Sequence, residues 1–216
     1  MCTSADRARS ADRDTSADRD TSTGRVTSTD RVTSAERFTG AGHRLRDGTV
    51  ATLRPLPYDD PLAQYLIEQV QQEYVRRYGG RDAAVVEPAE FQPPRGLFLV
   101  AEVDGVPAGC GAWRALPSGP AEIKRVYVEP AFRRRGIAQV VVTALEEGAA
   151  AAGHAEVVLN SGREQPEALA LYAELGYRPV PGYGVYACAP GAVFLGKALT
   201  ASGAEAGLDE ESSWAS

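Results

Sequence analysis

Cysteine, histidine and lysine are all scarce in this 216-residue chain, and each scarcity excludes something. The three cysteines, Cys2, Cys110 and Cys188, form no C-x-x-C pair, and the two histidines, His43 and His154, lie far apart. That pattern argues against a disulfide framework or a zinc site and predicts a metal-free protein of a reducing compartment. The longest apolar run, around Gln139–Leu145, is far shorter than the ~20 residues a membrane span needs. The opening M-C-T-S-A-D-R lacks the apolar stretch of a signal peptide, so the expectation is a soluble, cytoplasmic chain with no membrane partner. Lysine occurs only at Lys124 and Lys197, and arginine supplies every other positive charge. With the abundance of alanine and glycine, this reads as coding bias rather than as a functional signal.

An excess of positive charge is missing as well. The net charge is −6, and residues 1–40 balance seven acids with seven arginines. The tail 200–216 carries four acids and no base, which leaves eighteen acids against sixteen bases in between. A nearly neutral middle has no basic footprint for phosphates along a duplex, so nucleic acid is not an expected partner.

What is present begins with a repeat. From Thr3 a six-residue unit recurs six times, from T-S-A-D-R-A to T-S-A-E-R-F. It carries almost no apolar residues and gathers no hydrophobic stripe, so it cannot offset its ordering entropy. Residues 1–40 are therefore expected to form a disordered arm, and 201–216 a flexible acidic tail. The remaining 41–200 make one domain, large enough for an ordinary core.

Within that domain, Thr49–Leu56 alternates as a strand does. Asp59-Asp60-Pro61 then offers a cap and a first-turn proline for a helix carrying Leu62, Tyr65, Leu66, Val70 and Tyr74 at helical spacing, which Gly79-Gly80 ends. Strands at Leu97–Val103 and Val106–Trp113 flank Asp104-Gly105, a hairpin turn in which both residues need positive φ. A strand at Ala121–Val128, a helix at Ile137–Ala152 and a strand at Glu156–Asn160 make a βαβ unit, so these two strands are expected to be parallel neighbours. Pro166–Leu175 reads as another helix and Ala192–Leu199 as a last strand. The expected class is mixed α/β (α+β).

The most informative stretch is Glu122–Ala138, E-I-K-R-V-Y-V-E-P-A-F-R-R-R-G-I-A. A strand ends, three arginines turn the chain, and a glycine stands at the threshold of a helix. Free N–H groups at a helix start attract anions, Gly136 permits close approach, and Arg133, Arg134 and Arg135 add charge, so the turn suits a pyrophosphate. Taken alone it is equally readable as a solvated basic turn. Neither G-x-x-x-x-G-K-[ST] nor G-x-G-x-x-G is present.

Arg133-x-x-Gly136-x-Ala138 matches the [QR]-x-x-G-x-[GA] acetyl-CoA signature of the GNAT superfamily of N-acetyltransferases, and E-A-L-A-L-Y-A-E-L-G-Y (Glu167–Tyr177) matches its second signature. The chain resembles that superfamily over roughly residues 49–199. It looks most like a small bacterial subgroup of unassigned substrate, which bears A-E-I-K-R-x-Y-V and a close match to Arg163–Tyr172. The resemblance implies a central, twisted, mostly antiparallel sheet with one parallel strand-helix-strand crossover, flanked by helices. It implies acetyl-CoA as co-substrate and a small-molecule amine as acceptor, and it leaves room for a homodimer. Acetyl-CoA would meet Val126, Tyr127 and Val128 through backbone, and Arg133, Arg134, Arg135, Gly136, Ile137 and Ala138 at the cradle. Gln165 stands where many relatives have asparagine. Glu122 would be the catalytic base and Tyr172 the acid that protonates the departing thiolate. Without the family, Glu122 could simply pair with Lys124 two residues on, Glu129 is a weaker rival as base, and Tyr172 could simply pack with Leu169 and Leu175.

For the acceptor, Leu62–Tyr78 offers Glu68, Glu73, Tyr74 and Tyr78, and Pro179–Pro190 offers Tyr183 and Tyr186. An aromatic, mildly acidic pocket would suit a small cation. Two other readings are a non-catalytic acyl-CoA-binding sensor module and an acetyltransferase acting on a protein lysine or N-terminus.

Overall fold

The structure is a computed structural model that describes Phe38 and residues 42–199. Except for Phe38, the expected arm at 1–40 and tail at 201–216 lie outside the described residues. Contacts divide the chain into Met1–Arg31 and Val32–Ser216, and every described residue belongs to the second unit.

The elements in chain order are β1 (Gly42–Arg44), β2 (Val50–Pro55), α1 (Pro61–Tyr78), β3 (Gly96–Val103), β4 (Val106–Ala115), β5 (Ala121–Val128), α2 (Ile137–Ala151), β6 (Glu156–Gly162), α3 (Pro166–Glu174), β7 (Arg178–Pro179) and β8 (Ala192–Ala198). The local reasons are those legible in the sequence. Asp60 accepts a hydrogen bond from the Leu62 N–H at 2.8 Å and Pro61 opens α1, while Gly79, at φ 76°, closes it. Asp104 and Gly105, at φ 52° and 75°, turn β3 into β4. Two short strands, β1 and β7, carry too few residues for alternation to reveal them.

All eight strands form one sheet in the order β1-β2-β3-β4-β5-β6-β8-β7. Every pairing is antiparallel except β5 with β6, the crossover through α2. One face buries Ile137, Val141 and Leu145 of α2 against Leu97, Trp113 and Ile123. The other buries Ala63, Leu66 and Val70 of α1 against Phe98, Val100 and Ala112. Phe38, from the last repeat unit, belongs to the α2-side core, so packing reaches back into the stretch assigned to the arm.

The regular ladder breaks between β3 and β4 at Ala101/Glu102, and at two places on β5. β5 and β6 pair only through Ala121↔Val157, Glu122↔Val158 and Ile123↔Leu159, and no pairing continues beyond them. In the β4–β5 ladder, Cys110 faces Tyr127 but Ala112 faces Lys124, so Arg125 and Val126 together oppose the single residue Gly111. This is a β-bulge, and Arg125 takes φ 60° in it. That conformation costs an L-residue roughly 1–2 kcal/mol. Buried bonds from the Arg125 guanidinium to Asp82 at 2.6 Å and to the Tyr58 hydroxyl at 3.4 Å hold it there.

Candidate active site

Where β5 and β6 part, a cavity of about 1020 Å³ opens between them. Its walls are Lys124–Val128 of β5, Asn160–Gly162 of β6, and residues of α1 and α3, with the N-terminus of α2 at one end. Ten of the residues expected to bind acetyl-CoA or act on it line it, namely Val126, Tyr127, Val128, Arg133, Arg134, Gly136, Ile137, Ala138, Gln165 and Tyr172, and so do the acceptor-side candidates Glu73, Tyr74, Tyr78 and Tyr186. Arg125 and Val126 have no residue partner in either ladder; the Arg125 carbonyl accepts from the Cys110 thiol at 3.3 Å, and the β6 side of Val126 faces the gap.

The α2 N-terminus has Gly136 as its cap at φ 95°, with no side chain accepting from its first N–H groups. Open donors and the helix dipole favour an anion there. Arg133 donates from Nε to the Val128 carbonyl at 3.0 Å, which ties the turn to the end of β5. Arg135 does not line the cavity. Its Nε lies 2.5 Å from Asp47, and it donates to the Thr49 hydroxyl at 2.8 Å. Arg46 takes the place on the wall instead, carried by the β1–β2 turn, whose Arg46 N–H bonds the Arg135 carbonyl at 3.0 Å. No local sequence signal marks Arg46, because its position depends on a turn ninety residues upstream docking on the cradle.

Tyr172 is 6% exposed. Burial pushes its hydroxyl well above the usual phenol range, with Tyr74 adding to the shift. The hydroxyl makes no hydrogen bond to a described residue. Gln165 precedes α3 without capping it, and its side-chain oxygen accepts from the Tyr78 hydroxyl at 3.1 Å. Gly162 makes room for that ring, because a Cβ there would stand 2.4 Å from the Tyr78 oxygen.

Glu122 is 5% exposed and is not a lining residue. One oxygen accepts from Arg114 Nε at 2.9 Å, and the other lies 3.8 Å from Lys124 Nζ. Beside it the Tyr183 hydroxyl is buried without a partner, its pKa raised by burial and by the Glu122 charge. Glu129, the rival, does not line the cavity either, and one of its oxygens is buried without a partner.

The acidity expected of the acceptor side is cancelled by neighbours. Glu68 lies outside the cavity, paired with Arg81 at 2.7 Å. Glu73 lines it; burial pushes its carboxyl up, but bonds from Arg76 and Arg77 prevail and hold it at about 2. Asp82, which sequence reasoning missed, is similar. Burial raises it, while the Lys124 charge, the Ala84 N–H and Arg125 bring it down to about 2. Tyr186 donates to Asp82 at 2.8 Å and accepts from the Ala83 N–H at 2.6 Å, fastening the loop before β8 to the segment after α1. A loop-to-loop tie of this kind has no periodicity for sequence reading to catch.

Comparison with known proteins gives a consistent picture. The sequence profile of the Acetyltransferase (GNAT) family matches residues 62–177. An IAA acetyltransferase of Azospirillum brasilense is 30% identical over 151 residues, covering 69% of this chain and 98% of that one. A solved structure from Klebsiella pneumoniae, provisionally named an acyl-CoA N-acyltransferase, is 27% identical with a TM-score of 0.58, over 69% of this chain and 98% of that one. The PaiA N-acetyltransferase of Thermoplasma acidophilum, solved with coenzyme A, is 18% identical with a TM-score of 0.53, over 68% and 98% of the two chains. That last likeness is one of fold alone. No described helix is long and apolar enough to cross a membrane.

Proposed function

The chain belongs to the acetyltransferase (GNAT) family and is an acyltransferase; from this premise we propose that it moves the acetyl group of acetyl-CoA to the amine of a small molecule, by direct attack in a ternary complex. The observation that carries the proposal is the single cavity in which the gap between β5 and β6, the uncapped N-terminus of α2 and the Tyr172 side chain meet. The residues fit the donor. N–H groups of Gly136, Ile137 and Ala138 with Arg46, Arg133 and Arg134 would hold a pyrophosphate. Backbone of Val126–Val128 would pair with the pantetheine amides as an added strand, and the Val126 N–H would meet the thioester oxygen.

The acceptor ammonium must lose a proton before it attacks. At pH 7 an amine of pKa ~10 is neutral about one part in a thousand, which costs ~4 kcal/mol, while expelling a thiol of pKa ~8.5 as thiolate costs ~2 kcal/mol. Glu122 would take the first proton, relayed by water, since it stands behind the cavity wall. Tyr172 would give a proton to the sulfur. The C–N bond forms in a tetrahedral adduct, the C–S bond breaks as that adduct collapses with the Tyr172 proton on sulfur, and the amine's second proton is released as Tyr172 is reprotonated. A small acceptor is favoured over a peptide because Tyr186 fastens two segments across one side of the cavity, where a peptide would need an open groove.

The test is release of free thiol from acetyl-CoA across a panel of amines, with intact protein, Glu122→Gln and Tyr172→Phe. Loss in both variants is expected, with raised pH rescuing Glu122→Gln more than Tyr172→Phe. Full activity in both would remove the proposed roles.

A further inference from the structure

Lys124 is an anomaly in the cavity wall. Its side chain is 11% exposed, yet its ammonium makes no hydrogen bond to a described residue. The neighbouring carboxylates, Asp82 at 3.6 Å and Glu122 at 3.8 Å, are both beyond bonding distance. Each already has a closer cation: Asp82 the Arg125 guanidinium at 2.6 Å, and Glu122 the Arg114 guanidinium at 2.9 Å. Tyr186 donates to Asp82 as well, and Arg114 is shared with Glu90 at 2.7 Å. Each carboxylate thus has a closer cation than Lys124, which pairs with both only at longer range and keeps its ammonium donors open on the half-buried cavity wall. An ammonium on the cavity wall whose donors no protein oxygen takes up is open to an anion that arrives from the cavity side.

Placement narrows the choice of anion. Lys124 lies two residues before Val126 on β5, with the bulged Arg125 between them, so their Cα atoms are at most about 7 Å apart. An amine attacking a thioester held at the Val126 N–H would therefore lie within one small molecule's length of the Lys124 ammonium. A plain cationic amine would meet a like charge there, whereas an amine that also carries a carboxylate would satisfy it. We propose that Lys124 is a specificity-determining residue that anchors the carboxylate of the acceptor, and that the acceptor is an amino acid. This rests on the acetyl-transfer reading above and names the substrate class of the same site.

The experiment measures acetyl-CoA-dependent thiol release with free amino acids, their decarboxylated amines and their methyl esters, together with thermal stabilisation by acetyl-CoA. The expected result is a KM for the preferred amino acid lower by about tenfold or more than for its amine or ester, the scale of a charge-assisted hydrogen bond. Lys124→Met should abolish that difference, and Lys124→Arg should keep part of it. Circular dichroism and stabilisation by acetyl-CoA check that each variant is folded. Equal or better use of the decarboxylated amines, or an unchanged preference in Lys124→Met, overturns the anchor while leaving acetyl transfer standing. Stabilisation by acetyl-CoA with no thiol release from any acceptor rejects the acetyl-transfer reading, and this inference with it.

Discussion

Tyr172→Phe separates chemistry from packing more cleanly than any other change in this site. The substitution removes one oxygen from a side chain that is 6% exposed and leaves the ring, and its 5.4 Å contact with Tyr177, in place. Because that hydroxyl has no hydrogen bond to a described residue, its loss leaves no partner stranded, and stability should change by no more than about 1 kcal/mol in either direction. For a domain of this size that is at most a few degrees in Tm. The kinetic effect is of another order. Expelling a thiolate unassisted costs ~2 kcal/mol, about thirtyfold in kcat, and the general range for a positioned acid extends it to ~10³-fold. Burial raises the Tyr172 pKa, so the hydroxyl keeps its proton well above neutrality. The wild-type rate should therefore show no loss of this acid below about pH 10. The assay is thiol release under saturating acetyl-CoA from pH 6.5 to 9.5, beside a thermal melt. An unchanged kcat, or a fall in activity that merely tracks a fall in Tm, would falsify the acid role.

Other consequences can be measured directly. Arg46→Ala should weaken acetyl-CoA binding about tenfold and reduce its salt dependence, and more so than Arg135→Ala, because Arg46 lines the cavity and Arg135 is committed to Asp47; calorimetry with both variants decides it. Asp82 has a folded pKa of about 2 against an ordinary 3.8, so its contribution is present above pH 4 and is lost as the pH falls through 2. Asp82→Asn should flatten that acid limb by on the order of 2 kcal/mol, read from urea melts between pH 2 and 6. A protein that starts at residue 41 should be less stable than one that starts before Phe38, by roughly 3 kcal/mol for a buried aromatic ring, with acetyl-CoA binding retained. Equal melts for the two would contradict the packing of Phe38.

Much of this was legible because it is local. Asp60-Pro61 and Asp104-Gly105 each act over a few residues and cap or turn the chain as their chemistry suggests, and the arginine-glycine turn stands where the sequence suggests, at the start of α2. What escaped is non-local. Nothing in R-V announces that Arg125 will bulge, since the bulge is held by Asp82 and Tyr58 from distant segments. The three arginines of the turn look equivalent in sequence, and only the docking of Asp47 and Thr49 withdraws one of them. The pairing of Glu122 with Lys124, the alternative to a catalytic role for Glu122, is present at 3.8 Å, and the closer partner Arg114 is one that sequence reading missed.

The parting of β5 and β6 after three residue pairs bears on how such a protein can diversify. On the proposed reading, a donor held along that gap would be read by main-chain groups, which almost any side chain at Val126 or Val128 would leave intact. The acceptor would instead be read by side chains such as Lys124, which single substitutions can exchange. The two halves of such a reaction would then be inherited differently. The donor half would be written into the path of the chain and resist mutation, while the acceptor half would be open to revision one residue at a time.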